Sequence, residues 1–94
     1  MHETALVRDV VGRINQLANA AGAHRVVAAK VWLGALSHLS AQHFRDHFAI
    51  AAAGTPASAA ALEIETSDDP RDRNAQHVRL ESIELDNKGK VGRA

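Results

Sequence analysis

The first three residues carry the donor atoms of a compact metal site. A chain that begins Met1-His2 offers its terminal amine, the His2 backbone nitrogen once deprotonated, and the His2 imidazole. The backbone or carboxylate of Glu3 could add a fourth donor. Nitrogen donors in a near-planar array suit Ni(II) or Cu(II), whereas Zn(II) prefers a tetrahedron and Mg(II) prefers oxygen. Because intrinsic affinity favours copper, selection of nickel would depend on metal supply and on a partner protein. A second-position histidine also occurs by chance, so the motif alone is a weak signal.

Two further histidines have a spacing that can serve a metal. His43 and His47 are four residues apart in a predicted helix, so both imidazoles could face one ion. They flank Phe44 and Phe48, however, and no third ligand is near in sequence. The alternative interpretation is that both are solvated residues at the edge of an apolar stripe.

The remaining histidines lie outside helices. His38 is in the loop before that helix and would approach the amino terminus if the loop folds back, so it is a weaker candidate ligand. His24 and His77 each open a predicted strand and are interpreted as polar strand-edge residues. Imidazole binds metal only when neutral, so nickel held by His2 should be released progressively below neutral pH.

Composition argues against several other functions. The chain of 94 residues has 11 basic and 11 acidic residues and no cysteine. Balanced charge removes the electrostatic case for nucleic acid or an anionic membrane as the partner. Without cysteine there is no disulfide or thiolate nucleophile, and no structural zinc is expected. No phosphate loop or nucleophile elbow is present, so an enzyme is not expected. The absence of a long apolar segment predicts a cytoplasmic protein.

The first half of the chain is predicted to form a helix and a strand. Apolar residues recur at helical spacing over residues 4–21, and Gly22 stands where a helix stop is expected. Residues 25–33 alternate instead, which predicts a half-buried strand. One side of that strand is expected to comprise Val27, Ala29, Val31 and Leu33.

The second half is predicted to form a helix and two strands. Ser40 is a good N-cap, and Leu39 can pack on Phe44 as a hydrophobic staple. A short strand around residues 62–65 precedes a polar loop, Ser67 to Gln76. The apolar residues of the last strand change phase near Ser82, which indicates a bulge or a switch of buried face.

This order predicts an α+β fold. It comprises a three-stranded mixed β-sheet with two helices packed on one face, in the order α-β-α-β-β. Residues 1–85 would form the domain, and residues 86–94 a flexible C-terminal tail.

Several landmarks together resemble a known family. They are Met1-His2-Glu3 before an amphipathic helix, Leu33-Gly34-Ala35-Leu36-Ser37, Phe44 to Phe48, Gly54-Thr55-Pro56-Ala57, and Leu80-Glu81-Ser82-Ile83-Glu84. This arrangement resembles the HypA/HybF family of hydrogenase nickel incorporation proteins. The resemblance implies that Met1 and His2 carry Ni(II) with assistance from Glu3. It also implies a HypB-type GTPase as partner and the large subunit of a nickel–iron hydrogenase, or another nickel enzyme, as recipient.

The chain departs from the family pattern in one respect. Family members usually carry a zinc lobe with two CxxC pairs between the second and third strands, where this sequence has Ser67 to Gln76. The resemblance is therefore to a short form without that lobe, in which a polar loop closes the same two strands.

Two functions remain open on the sequence. The first is a nickel metallochaperone that depends on a free amino terminus. The alternative is an interaction or adaptor module of a hydrogenase maturation complex that does not bind metal. Either is compatible with a homodimer.

Overall fold

The structure is a computed structural model that describes residues 3–86 and 91–93; at Glu3 and at 91–93 it describes the backbone alone. The elements in chain order are α1 (Glu3–Ala20), β1 (Val26–Leu33), α2 (Ala41–Ala52), β2 (Ala61–Thr66), β3 (Val78–Leu85) and β4 (Val91–Arg93). The predicted helices and the first three strands are confirmed in type and order. No helix in these ranges is long and apolar enough to cross a membrane.

The strands form one mixed sheet in the order β2-β1-β3-β4. The central strand β1 is parallel to β2 and antiparallel to β3. The predicted three-stranded mixed sheet is therefore confirmed, with α2 as the crossover between its two parallel strands.

A short fourth strand departs from the expected flexible tail. The segment Val91–Arg93 pairs antiparallel with β3, and Gly92 lies opposite Ile83. Pairing satisfies backbone groups on the outer edge of β3 that would otherwise need water. Three residues that include a glycine give too weak a strand signal for sequence patterns to detect.

The core lies between one face of the sheet and both helices, as predicted. Phe44 is fully buried, and its ring centroid lies 5.9 Å from that of Phe48. The Arg45 guanidinium donates a hydrogen bond to the Leu62 carbonyl at 3.2 Å, which ties α2 to β2. The α1 residues in the same cluster are Val7, Val10, Val11, Ile14 and Ala18.

The strand β1 does not alternate strictly. Its register against β3 shifts between Val26 and Ala28, so Val26 is buried while Val27 is 44% exposed. The prediction that Val27 shares the buried side with Ala29 is therefore wrong, because a bulge inverts the phase at the start of the strand.

The predicted irregularity in β3 is confirmed. Lys30 pairs with Ser82 but Val31 pairs with Leu80, so Glu81 is the extra residue of a bulge. The bulge keeps Leu80 and Ile83 on the core side although they are an odd number of residues apart.

The helix α2 begins at the predicted cap. The Ser40 hydroxyl accepts a hydrogen bond from the His43 backbone N–H at 3.1 Å, and Leu39 is buried just before it. Gly22 and Gly54 follow the two helices with positive φ angles of 71° and 77°. The end of α1 matches the stop signal expected at Gly22, and Gly54 follows α2 in the same left-handed conformation.

Candidate metal centre

The predicted ligand set falls mostly outside the described residues. Met1 and His2 lie outside them, and Glu3 is described only as the first backbone position of α1. Their role as metal ligands therefore stays a prediction. What the structure does give is the surroundings of the first turn of α1.

The first turn of α1 faces α2 across a groove of about 400 Å³. We call this the α1–α2 groove; it is lined by Thr4, Arg8, His47, Ile50 and Ala51. Thr4 and Arg8 are four residues apart and so share one face of α1. The groove brings one imidazole and one guanidinium close to the first turns of α1.

The two helices run in the same direction. Thr4 lies opposite residues 47–51, whereas further along α1 the Asn15 side-chain oxygen accepts a hydrogen bond from the Ala57 N–H at 3.2 Å. Later residues of α1 thus lie opposite later residues of the segment that contains α2, as expected for two parallel helices.

The two histidines of α2 differ in their surroundings. His43 is exposed, whereas His47 is partly buried and lines the α1–α2 groove. Both flank the buried Phe44 and Phe48, as expected for residues at the edge of an apolar stripe, but only His47 also lines this groove. Sequence spacing shows that the two imidazoles share a helix face, but not which of them meets α1.

The weaker candidate His38 lies in the loop between β1 and α2. It is exposed and has a φ of 63°, which is unusual for a residue with a side chain. The Ser37 hydroxyl fixes the preceding turn by donating to the Gly34 carbonyl at 2.8 Å. His38 does not line the α1–α2 groove, and its approach to the amino terminus stays a prediction.

The last two histidines are exposed, as their interpretation as strand-edge residues requires. His24 precedes β1 and His77 precedes β3. Within residues 3–86 and 91–93, no three histidine, aspartate or glutamate side chains are grouped so that they could hold one ion. A chelating cluster would therefore have to include donors from outside these ranges.

The polar loop between β2 and β3 closes one end of the sheet. Its turns are fixed by Asp69 and Asp72, whose carboxylates accept backbone N–H groups at 2.9 and 2.8 Å. The loop docks on the end of β1, where the Leu36 N–H donates to the Ala75 carbonyl at 2.7 Å. Gly34 is needed at this contact because a Cβ would overlap the Ala75 carbonyl.

Trp32 is buried on the sheet face away from the helices. It alternates with the core residues Val31 and Leu33 and is 7% exposed. The guanidinium of Arg79, its cross-strand neighbour, lies 4.5 Å from the ring centre. A cation–π contact of this kind helps to cover an aromatic ring that lies outside the main core cluster.

A second groove, which sequence reasoning missed, lies between α1 and β3. This α1–β3 groove has a volume of about 680 Å³ and is lined by Leu6, Asp9, Val10, Arg13 and residues 77–81. Leu6 and Leu80 supply an apolar floor, while both signs of charge surround it. Within the described residues β4 pairs only with residues 82–84, so the outer edge of β3 is unpaired beside this groove.

The sequence of this chain matches a family model and named relatives. A family model described as HypA, hydrogenase/urease nickel incorporation, metallochaperone, matches residues 1–70. A hydrogenase maturation factor HypA from Chloroflexus aurantiacus is 40% identical over 65 residues, which cover 69% of this chain and 57% of the relative. A HypA from Chloroflexus aggregans is 38% identical with the same coverage. The chain thus spans just over half the length of these relatives.

Solved structures agree in fold. The solution structure of the Ni metallochaperone HypA from Helicobacter pylori matches with a TM-score of 0.73 and 18% identity, over 90% of this chain and 97% of that one. A second HypA solution structure matches with a TM-score of 0.68 and 19% identity, over 90% and 96%. The family model, which covers residues 1–70, establishes that the chain belongs to the HypA family.

Proposed function

We propose that this chain is a nickel metallochaperone for hydrogenase maturation. Ni(II) would be bound by the terminal amine and His2, with assistance from Glu3 and with Met1 as the terminal residue. The observation that carries the proposal is the family match, which begins at Met1 and therefore includes the predicted chelator. The Chloroflexus relatives are named hydrogenase maturation factors, which supports the same function.

The chemistry of the donors suits a carrier. An amine, an amide nitrogen and an imidazole favour nickel over magnesium or calcium, and coordination displaces protons from them. A site built on a chain end needs little rearrangement of the fold for the ion to enter or leave. The ion is cargo in this proposal, so the site must release it as well as bind it.

The proposed partners follow from membership of the HypA family. We propose a HypB-type GTPase as the protein that works with this chain and the large subunit of a nickel–iron hydrogenase as the recipient. Because the chain covers only 57% of its relatives' length, surfaces carried by the rest of those proteins need not have an equivalent here.

We also propose that the chain holds no structural zinc. The sequence has no cysteine, and the segment between β2 and β3 is closed by hydrogen bonds of its own aspartates. Such a loop can join two strands without the folding energy that a structural metal supplies.

An adaptor without metal binding is the second candidate function. The α1–β3 groove favours it, because an apolar floor beside the charged residues Asp9 and Arg13 suits a protein partner, as does the edge of β3, which is unpaired there within the described residues. Nickel binding and partner docking can coexist, so only failure to bind nickel would leave the adaptor as the better account.

Removal of the His2 imidazole tests the proposal. Calorimetric titration of the untagged protein should give one equivalent of Ni(II), and His2→Ala should abolish it without changing the circular dichroism spectrum. His24→Ala is the matched control, because His24 is an exposed histidine in a turn before β1. Stoichiometric binding retained by His2→Ala would contradict the proposal and move the site elsewhere.

A further inference from the structure

The outer edge of β3 is open over the residues that border the α1–β3 groove. Among the described residues, β4 pairs with 82–84 and leaves 78–81 of the same edge without a neighbouring strand. We call residues 78–81 the open edge. They span about 13 Å at the rise of an extended strand, and all of them line the α1–β3 groove. The open edge and the groove therefore form one surface.

The backbone groups of Val78 and Leu80 point towards the open edge. In an antiparallel pair, alternate residues direct their N–H and C=O groups to the neighbouring strand. The His77 carbonyl accepts a hydrogen bond from the Gly34 N–H at 2.9 Å, on the β1 side. Val78 and Leu80 are one and three residues further on, so they direct their backbone groups away from β1. Such groups need a partner strand or water.

The opposite edge of the sheet is better protected against a further strand. In β2 the Leu62 carbonyl accepts a hydrogen bond from the Arg45 guanidinium at 3.2 Å, and both glutamates of the strand are exposed. Charged side chains and occupied backbone groups discourage strand addition. On the open edge, by contrast, Arg79 and Glu81 form an ion pair with each other at 3.5 Å. The open edge is therefore better suited than β2 to accept a strand.

The helix α1 determines which side chains an added strand could carry. Leu6 and Val10 of α1 and Leu80 of β3 line the groove and contribute to the core or pack against it. A side chain of an added strand that points to this side would contact apolar atoms, which favours an apolar residue. Its two neighbours in sequence would point to the opposite face of the sheet, where polar residues suffice.

Two charges of α1 determine the order of charges in such a strand. Asp9 and Arg13 are exposed and one helical turn apart, and neither forms an ion pair with another described residue. The crossover helix α2 runs against β1, so α1, which is parallel to α2, runs in the same direction as β3. Asp9 is consequently nearer the Val78 end of the open edge, and Arg13 is nearer the Glu81 end. A strand antiparallel to β3 would meet Arg13 before Asp9.

We propose that the open edge binds an extended segment of a partner protein, which adds to β3 as a strand in line with β4 and antiparallel to β3. At alternate positions the segment carries an acidic, an apolar and a basic residue, in that order. The acidic side chain meets Arg13 and the basic one meets Asp9. The apolar side chain packs on Leu6 and Leu80. This inference rests on the second candidate function, partner docking at this groove, and does not depend on nickel binding.

Two pentapeptides of equal composition test the proposal. The probe is acetyl-Glu-Thr-Val-Thr-Lys-amide, and the control, acetyl-Lys-Thr-Val-Thr-Glu-amide, reverses the order of the charges. In NMR titrations of the full chain at millimolar peptide, the probe should shift the backbone amides of Val78 and Leu80. It should bind roughly two- to tenfold more tightly than the control, as expected for two exposed ion pairs. Unperturbed amides, or equal affinities for the two peptides, would overturn the inference.

Variants of the chain test the backbone and the charges separately. Val78→Pro removes an N–H from the open edge without removing a hydrogen bond to β1, and should weaken binding of the probe at least about fivefold. Val78→Thr keeps the N–H and the branched shape and should stay within about twofold of the wild type. The double exchange of Asp9→Arg with Arg13→Asp should reverse the preference between the two peptides, whatever proline does to folding. An unchanged preference would contradict the proposed order of charges.

A second copy of this chain is the competing occupant of the open edge. It would shift the amides of Val78 and Leu80 as the protein concentration rises without peptide, and that result would overturn the inference. The nickel titrations separate this inference from the nickel proposal. Unperturbed amides in a chain that binds nickel would overturn this inference alone, whereas probe binding by a chain that does not bind nickel would overturn only the nickel proposal.

Discussion

The two grooves beside α1 have opposite chemical characters. The α1–α2 groove contains one imidazole and one guanidinium beside the first turns of α1. The α1–β3 groove is larger and has an apolar floor with charges of both signs. One helix separates them, because Thr4 and Arg8 face α2 while Leu6 and Asp9 face β3. The difference shows that one helix presents two surfaces of different chemistry, of which the apolar one is the better suited to a protein partner.

The largest expected effect breaks the core beneath α2, on which the α1–α2 groove depends. Phe44→Ala removes a fully buried ring and should lower the free energy of unfolding by about 3–5 kcal/mol. Ile50→Ala is the control, because Ile50 is on the same helix but 77% exposed; its effect should be within about 0.5 kcal/mol. Urea denaturation measures both, and similar losses for the two variants would contradict this account of the core.

The next prediction concerns the end of the sheet where the loop between β2 and β3 packs against the end of β1. Gly34→Ala puts a methyl group into the Ala75 backbone and should cost about 1–3 kcal/mol. Because the Gly34 N–H donates to the His77 carbonyl at 2.9 Å, backbone NMR shifts should change around residues 77–80 more than around Thr4 and His47.

The control for this substitution should change the free energy of unfolding in the opposite direction. Gly12→Ala, in α1 with open space at its Cβ, should raise stability by about 0.5–1 kcal/mol through helix propensity. Thermal unfolding of both variants compares them directly. Equal effects of the two substitutions would show that the contact between Gly34 and Ala75 does not matter.

Acidification should lower the Ni(II) affinity and leave the fold unchanged. Imidazoles and the terminal amine bind nickel in their neutral forms, so protons compete with the ion as the pH falls. Ni(II) affinity should be at least about tenfold lower at pH 5.5 than at pH 7.5. Calorimetry at the two pH values, with circular dichroism to show that the fold persists, is the measurement. Unchanged affinity would count against imidazole ligation.

The smallest expected effect compares one arginine from each groove. Arg8→Gln removes the basic side chain nearest in sequence to the proposed His2 ligand and should raise Ni(II) affinity about two- to threefold at low salt. Arg13→Gln removes an equally exposed cation from the α1–β3 groove and should have a smaller effect. Identical titration curves for the two variants at low salt would count against a nickel site at the amino-terminal end of α1.

The elements of the fold were largely predictable because each has a local signal. The Ser40 cap, the glycines after each helix and the phase change near Ser82 all act within a few residues. The bulge after Val26 could not be predicted because Val26 and Val27 are the same residue type, so either could occupy the buried position. The strand Val91–Arg93 depends on pairing with β3 and has little signal of its own.

The sites were less predictable than the elements. The chelator could be proposed from Met1-His2-Glu3 because its donors are adjacent in sequence. The difference between His43 and His47 could not, since it depends on how α1 crosses α2, a tertiary packing choice that local spacing does not encode. For the same reason the α1–β3 groove has no sequence signature.

Blocking the terminal amine tests the central claim most directly. Ni(II) titration should be compared for the protein with a free amino terminus, verified by intact mass, and for the same protein acetylated at that terminus. The account predicts one equivalent of bound nickel in the first case and no stoichiometric binding in the second. Equal binding by the acetylated protein, or a native chain from which Met1 has been removed, would contradict it.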